Sequence, residues 1–295
     1  MDDVVAVVAT YNAMPWIEEC LASLQGSRAV VVDNASSDDT VAFVRDRFPD
    51  VHLFEQENLG LAAAWAKGLE ESPPSRWALI INADAWLVGD ALSRLVAVGD
   101  AHPDVAVVAP KLLNPDGSLQ RSVRGFPTLW RLATEYLYLR KLGPRTELLN
   151  AFYGAGFDHA SEREIECVMG ACMLVRREAI GQVGGPDPSY FLFSEEVDWL
   201  YRFAQAGWRA RFTPAATCIH VGGASHGGRM YRENLRGMLR FFYKHHGERE
   251  AERARTLLRG SLAIRGRLVR GERGAMYRDG ARWLGTGDAR ALIER

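Results

Sequence analysis

The chain has 295 residues and a mass of 32.8 kDa, with 47% hydrophobic and 25% charged residues, ordinary globular proportions that exclude disordered, collagen-like and disulfide-scaffold proteins. Its formal net charge of -1 hides an asymmetry: from Arg229 onward 17 Lys and Arg face 8 Asp and Glu, so a basic tail at 229–295 follows an acidic body at 1–228. The four cysteines form no C-x-x-C pair, no apolar run approaches the roughly 18 residues that span a bilayer, and Met1-Asp2-Asp3 is not the basic start of a secretory signal; the expected location is cytoplasmic.

Val4 to Ala9 and Ala29 to Val32 are continuous apolar runs that predict strands buried on both faces. Between them Pro15 to Gln25 carries Trp16, Ile17, Leu21 and Leu24 at helical spacing, so the start is β-α-β with parallel strands. Ser36 to Thr40 supplies N-cap candidates for a helix through Phe48, and Pro49-Asp50 ends it before a short strand at Val51 to Phe54. Leu61 to Glu71 reads as a helix, Trp77 to Ile81 as a strand, Asp90 to Ala101 as a helix and Val105 to Ala109 as a strand. Residues 1–110 then form a doubly wound, nucleotide-binding half, whose ligands belong beyond the carboxyl ends of its strands. That rule selects Thr10-Tyr11-Asn12, Asp33-Asn34, Glu55 to Asn58 and Asn82-Ala83-Asp84.

Residues 111–228 read as an acceptor and catalytic half. It opens irregularly, with a turn signal at Asp116-Gly117, a helical stretch near Trp130 to Leu142 and a polar loop around Asp158 to Glu166. Cys167 to Arg176 predicts a strand, Arg177 to Val183 and Glu195 to Ala206 helices, and Ala210 to His220 another strand. From Met230 the pattern is helical and basic. Tyr231, Leu235, Met238, Leu239 and Phe242 share one stripe, with Arg232, Arg236 and Arg240 at its flanks or opposite. Such a stripe either lies on an anionic membrane surface or packs on the body with only its arginines wet.

Neither the Walker phosphate loop nor the dinucleotide glycine fingerprint is present, so a bound nucleotide must be held by other means. Asn82-Ala83-Asp84, at the exit of a buried strand, can reach a hard cation or can cap a turn. Glu195, Glu196 and Asp198 place three carboxylates within four positions, either on solvated faces of a helix start or as a general base facing a cleft. His220 ends an apolar run and reads as a structural histidine or a nitrogen ligand beside a carboxylate-bound metal.

Taken in order, Val8-Ala-Thr-Tyr-Asn12, Val31-Val-Asp-Asn-Ala-Ser-Ser-Asp-Asp-Thr40, Asn58-Leu-Gly60, Asn82-Ala-Asp84, Gly170-Ala-Cys-Met-Leu-Val-Arg176, Val183-Gly-Gly-Pro-Asp187, Glu195-Glu-Val-Asp198 and Ile219-His220 carry a resemblance stronger than any one of them. Over about residues 3 to 225 the sequence resembles the GT-A-fold glycosyltransferases of family 2, in their rhamnosyltransferase-like branch. The resemblance implies an α/β fold with a mostly parallel, doubly wound sheet, here followed by a C-terminal helical extension at 229–295. It also implies inverting transfer of a sugar from a UDP- or dTDP-sugar to a glycan or lipid-linked acceptor, assisted by Mg²⁺ or Mn²⁺, in cell-envelope polysaccharide synthesis.

By position, Thr10, Tyr11, Asn12, Asp33, Asn58, Asn82 and Asp84 would line the donor pocket, with Asp33 on the pyrimidine base and Asp84 on the metal beside His220. Glu196 falls on the expected base, Glu195 remains the alternative, and Asp198 completes the motif. Asn82 and Glu196 stand where the family usually has aspartates, which keeps open a rival reading as a nucleotide-sugar-binding module without catalysis. The implied location is cytoplasmic, peripheral at the inner face of the plasma membrane through 229–295, with no nucleic-acid partner.

Overall fold

The structure, a computed structural model, describes residues 3–150, 152, 154, 156–222 and 228–294. Gly223 and the side chains of Glu147 and Arg229 lie outside the described residues. Two compact units emerge. One comprises Met1–Val123, Asp158–Phe191 and Asp198–Gly222; the other comprises Arg124–Phe157, Leu192–Val197 and Gly223–Arg295. The charge step at residue 229 does not foretell that 124–157 and 192–197 group with the tail.

The first unit begins with the expected alternation: β1 (Val4–Thr10), α1 (Ile17–Ala22), β2 (Arg28–Asp33), α2 (Thr40–Arg47), β3 (His52–Glu55), α3 (Leu61–Glu71) and β4 (Trp77–Asn82). β5 (Ala85–Leu87), α4 (Ala91–Ala101), β6 (Val105–Leu113) and β7 (Leu119–Gln120) follow. Two-residue strands at β8 (Val123–Arg124) and β10 (Cys167–Val168) stand outside the large sheet, which gains β9 (Arg163–Ile165), β11 (Cys172–Arg176) and β12 (Arg209–His220). The predicted strand from Cys167 to Arg176 is thus two strands, and only its second piece enters the sheet. Helices α7 (Arg177–Val183) and α8 (Glu195–Gln205) lie between β11 and β12 in sequence.

The strand order is β3-β2-β1-β4-β11-β6-β12-β5. β3, β2, β1 and β4 are parallel, β11 is antiparallel to both β4 and β6, and β6 pairs parallel with β12. β1 is buried along its whole length because both faces of the sheet are covered. Val4, Ala6 and Val8 join Ile17, Cys20, Leu21, Val44, Leu92 and Leu95 in one core. Val7 meets α3 instead, where a Cβ on Gly68 would fall 2.4 Å from its Cγ1. All four cysteines are buried outside any disulfide, and burial pushes the Cys20 thiol up.

Of the N-cap candidates from Ser36 to Thr40 it is Asp39 that precedes α2, making no side-chain capping bond. Ser36 is committed elsewhere, to Asp33. β5 escapes sequence detection because three residues show no periodicity, yet it sets the site. It pairs antiparallel with β12 and brings Ala85 opposite His220.

The second unit holds α5 (Leu129–Tyr136), a 3-10 turn at Leu139–Leu142, α6 (Glu147–Asn150), α9 (Gly228–His246), α10 (Glu248–Leu268), α11 (Gly271–Trp283) and α12 (Ala289–Ile293). The predicted stretch from Trp130 to Leu142 breaks at Tyr138, whose φ of 61° leaves the helical region. Arg265 ties α10 to α5: its Nε donates to the Tyr136 carbonyl at 2.8 Å and its guanidinium stacks 3.9 Å from the Tyr138 ring.

The membrane expectation for the stripe on α9 is overturned. Leu235, Leu239, Phe242 and Met238 are buried, and α9 packs against α10, α11 and α12. Its arginines are also engaged. Arg232 makes a two-pronged pair with Asp279 at 2.8 and 2.7 Å, Arg236 bonds Glu233 and the Leu292 carbonyl, and Arg240 bonds the Ile293 carbonyl. The Leu292 and Ile293 carbonyls belong to α12's last turn, so Arg236 and Arg240 complete a helix end.

Candidate active site

Strand register places the first group of expected residues in one row. Thr10 pairs with Asp33, Asp33 with Glu55, and Ala9 with Asn82, so the ends of β1 to β4 run out together. Asp33 is buried to 1% exposure, and Ser36 supplies both of its partners: the amide at 2.8 Å from Oδ2 and the hydroxyl at 2.5 Å from Oδ1. The Asn12 amide in turn donates to the Ser36 oxygen at 2.8 Å, while Asn12 Oδ1 accepts the Ser37 amide at 2.7 Å. Asn12 achieves this with a left-handed φ of 51°, a conformation asparagine tolerates. Tyr11 is exposed and Thr10 is buried.

Asn34 does not reach outward. Its Nδ2 donates to the Gly60 carbonyl at 3.3 Å and its Oδ1 accepts from Gln56 at 2.8 Å, which fixes the turn holding Asn58. Asn58 Oδ1 accepts the Gly60 amide at 3.3 Å. Gly60 is required there: φ is 95° and a Cβ would lie 2.2 Å from the Phe191 carbonyl oxygen.

A second cluster forms beside this edge. Asp84 Oδ2 accepts the Gly222 amide at 3.0 Å, and its Oδ1 lies 3.4 Å from His220 Nε2. Burial pushes the Asp84 carboxyl up, but the bond and charge that His220 supplies when its ring is protonated, with the Gly222 amide, outweigh burial and hold the carboxyl below its ordinary range. Gln120, which sequence reasoning does not select, grips His220 from the other side with Oε1 2.7 Å from Nδ1. Asn82 anchors its backbone to the Ala171 carbonyl at 2.9 Å, and its buried Oδ1 has no partner among the described residues. An orphan amide oxygen, a carboxylate and an imidazole nitrogen are a suitable partial ligand set for a hard cation. No group of three or more His, Cys, Asp or Glu that could hold a metal occurs among the described residues.

The acid pair belongs to the second unit and opens α8. Glu195 is buried, Glu196 is half-buried, and the inner Oε2 of each has no hydrogen-bond partner among the described residues. Burial, and then repulsion from Glu196, raises the Glu195 carboxyl well above its ordinary value. Burial also raises Glu196, against the pull of helix-start amides and the Arg124 charge. Phe193 and Ser194 enter the helix with left-handed φ of 69° and 70°, a strained approach for non-glycine residues.

Asp198 has a different surrounding. It is fully buried, and its Oδ2 accepts from Arg202 Nε at 2.8 Å. Arg202 then donates to the carbonyls of Val183 and Gly185 at 2.9 and 2.7 Å, fixing the Val183 to Asp187 segment.

The model of the glycosyl transferase family 2 matches residues 5–184. The chain is 32% identical to the N-acetylglucosaminyl-diphospho-decaprenol L-rhamnosyltransferase of Mycobacterium tuberculosis over 291 residues, covering 91% of this chain and 94% of that protein. Among solved structures it resembles a mannosyltransferase from Pyrobaculum calidifontis in complex with GDP-Man and Mn²⁺, with a TM-score of 0.56, 20% identity and coverage of 99% and 83% of the two chains. It also resembles GalNAc-T7 with UDP, GalNAc and Mn²⁺, with a TM-score of 0.60, 14% identity and coverage of 81% and 48%. These two share the fold.

Proposed function

Because the chain belongs to glycosyl transferase family 2 and is a rhamnosyltransferase-like glycosyltransferase with the GT-A fold, we propose that it is an inverting enzyme that transfers a sugar from a UDP- or dTDP-sugar to a lipid-linked glycan. The single observation that carries this reading is the meeting of Asp84 and His220 beside the strand ends that present Asp33, two residues after Asn82 closes β4.

Asp33 would accept the imide N–H of a pyrimidine, exchanging its bonds with Ser36 for one to the base. Thr10, Tyr11, Asn12 and Asn58 would line the ribose side of the pocket. Asp84, His220 and Asn82 would hold Mg²⁺ or Mn²⁺. The cation's contribution is to offset the charge that develops on the departing diphosphate. One member of the acid pair would take the acceptor hydroxyl's proton during a single displacement, for which a raised carboxyl pKa suits operation near neutrality. Glu196, the less buried of the two, is the proposed base; Glu195, whose carboxyl is raised further, would keep its proton beside it. Asp198 is assigned a positioning role through Arg202.

The acceptor class follows from the rhamnosyltransferase relative, whose name specifies a diphospho-decaprenol-linked sugar. No helix among the described residues is long and apolar enough to cross a membrane. We assign contact with the inner leaflet of the plasma membrane to the second unit, where Leu142 and Leu268 are 79% and 75% exposed and Leu148 and Ile264 are also exposed. Exposed Lys141, Arg145, Arg267, Arg270 and Arg273 accompany them and match an anionic surface.

The test is calorimetric binding of UDP-, dTDP- and GDP-sugars with and without Mn²⁺, followed by turnover on a polyprenyl-diphosphate-linked acceptor. Mn²⁺ should tighten UDP or dTDP binding, and Asp84→Ala should abolish that enhancement with the fold intact. Equal enhancement in the variant would remove Asp84 from the metal site, and binding without turnover would favour a non-catalytic module.

A further inference from the structure

We infer that Gln120 is a positioning residue: it fixes His220 in the tautomer that leaves Nε2 unprotonated beside Asp84, ready to bind a cation. The inference rests on the metal reading proposed above and adds a residue that the sequence motifs do not mark. Gln120 lies 100 positions from His220 in sequence, and the sheet brings them together. β7 runs antiparallel to β6 with Gln120 opposite Leu112, while β12 runs parallel along the other side of β6.

The direction of every hydrogen bond in this corner is set by its two ends. Asp116 at the hairpin turn presents a carboxylate that only accepts, so the Ser118 hydroxyl, 2.6 Å away, donates to it. The Ser118 oxygen therefore accepts from Asn114 Nδ2 at 2.8 Å, which turns Asn114 Oδ1 toward Gln120. Gln120 Nε2 donates to that oxygen at 2.9 Å and to the His220 main-chain carbonyl at 3.1 Å. A carbonyl cannot donate, so the amide cannot be flipped, and Oε1 must face the ring. At 2.7 Å from Oε1, His220 Nδ1 must carry the proton. In a neutral imidazole the other nitrogen is then a lone pair.

That lone pair is on the correct side. Nε2 is 3.4 Å from Asp84 Oδ1, long for a hydrogen bond but natural for two groups that would share a cation. Metal-binding histidines commonly have their second nitrogen held in this way, which fixes the ring and raises its basicity. Gly222 leaves the room. With φ of 62°, a Cβ there would crowd His220 Cε1 at 3.3 Å and stand in ordinary contact with Gln120 Nε2 at 3.7 Å.

The test uses the full chain, ¹⁵N-labelled at histidine. In the metal-free protein at about pH 8, where an ordinary imidazole is neutral, long-range proton–nitrogen spectra should show His220 as the Nδ1–H tautomer; His220→Gln identifies its signals. Gln120→Met, which has no amide acceptor, should move the signal toward Nε2–H. It should also weaken Mn²⁺ binding in the presence of UDP, read by electron paramagnetic resonance, by about 10- to 100-fold.

An Nε2–H tautomer in the wild type overturns the inference even if every variant misfolds. So does a folded Gln120→Met protein with unchanged tautomer and Mn²⁺ affinity. Failure of the metal reading looks different: the wild type would bind no Mn²⁺, while the tautomer spectra would still decide what Gln120 does.

Discussion

Gly237 in α9 lies against the main chain of Phe193, so closely that a Cβ would stand 2.4 Å from the Phe193 carbonyl oxygen and 3.1 Å from Ser194 Oγ. The C-terminal extension is therefore a support for the left-handed turn that delivers Glu195 and Glu196. A bare backbone at position 237 is what permits the approach.

Gly237→Ala should disturb that turn. Inserting one methyl into a filled site costs about 1–3 kcal/mol, and the strained Phe193–Ser194 pair is the backbone that must move. Thermal unfolding should register the loss, and kcat should fall while UDP- or dTDP-sugar affinity stays near that of the wild type. Unchanged stability and kcat would show that α9 does not support the acid pair.

The raised acid pair has two signatures in pH. A carboxyl whose folded pKa exceeds its unfolded value holds its proton longer in the native state. Between the two values the folded protein binds more protons, so stability falls as pH rises through that window and has lost the contribution once pH exceeds the folded value. Glu195→Gln should flatten this slope in chemical denaturation measured from about pH 4 upward. If Glu196 is the base, Glu196→Gln should remove most turnover, and the wild-type rate should decline on the acid side at a pH above the ordinary glutamate value.

Asp33→Asn replaces a pure acceptor with an amide able to donate toward the base. Donor binding should weaken by about 1–3 kcal/mol, the range for a charge-assisted bond. Isothermal titration with UDP and dTDP measures it directly, and equal affinity in the variant would exclude Asp33 from base recognition. Ser36→Ala, which loses a partner that Asp33 would give up on binding and an acceptor for the Asn12 amide, should cost less.

Leu142→Glu with Leu268→Glu tests the membrane face. Both side chains are exposed, so the fold should tolerate the change. Cosedimentation with vesicles containing anionic lipid should drop, and binding to such vesicles should weaken with salt in the wild type. Retention of full vesicle binding by the double variant would place the contact elsewhere.

What the sequence alone determined is mainly local and periodic. Val4 to Ala9 and Trp77 to Ile81 read as strands from their uninterrupted apolar runs, and α3 has the bounds read for it, Leu61 to Glu71. Strand ends then marked Thr10, Asp33, Asn82 and Asp84, because parallel sheets place their ligands there. Where tertiary structure decided, the information was not local. β11 runs antiparallel between β4 and β6, a choice set by strand neighbours rather than by Cys172 to Arg176 itself. The stripe on α9 satisfies helical periodicity equally on a membrane or against α10 to α12, and only packing chose between them. Likewise Gln120 looks like any polar residue after a turn. It acquires its place at His220 because two strands 100 residues apart flank β6, and hydrogen-bond direction, unlike hydrophobic pattern, becomes readable only once donors and acceptors share a site.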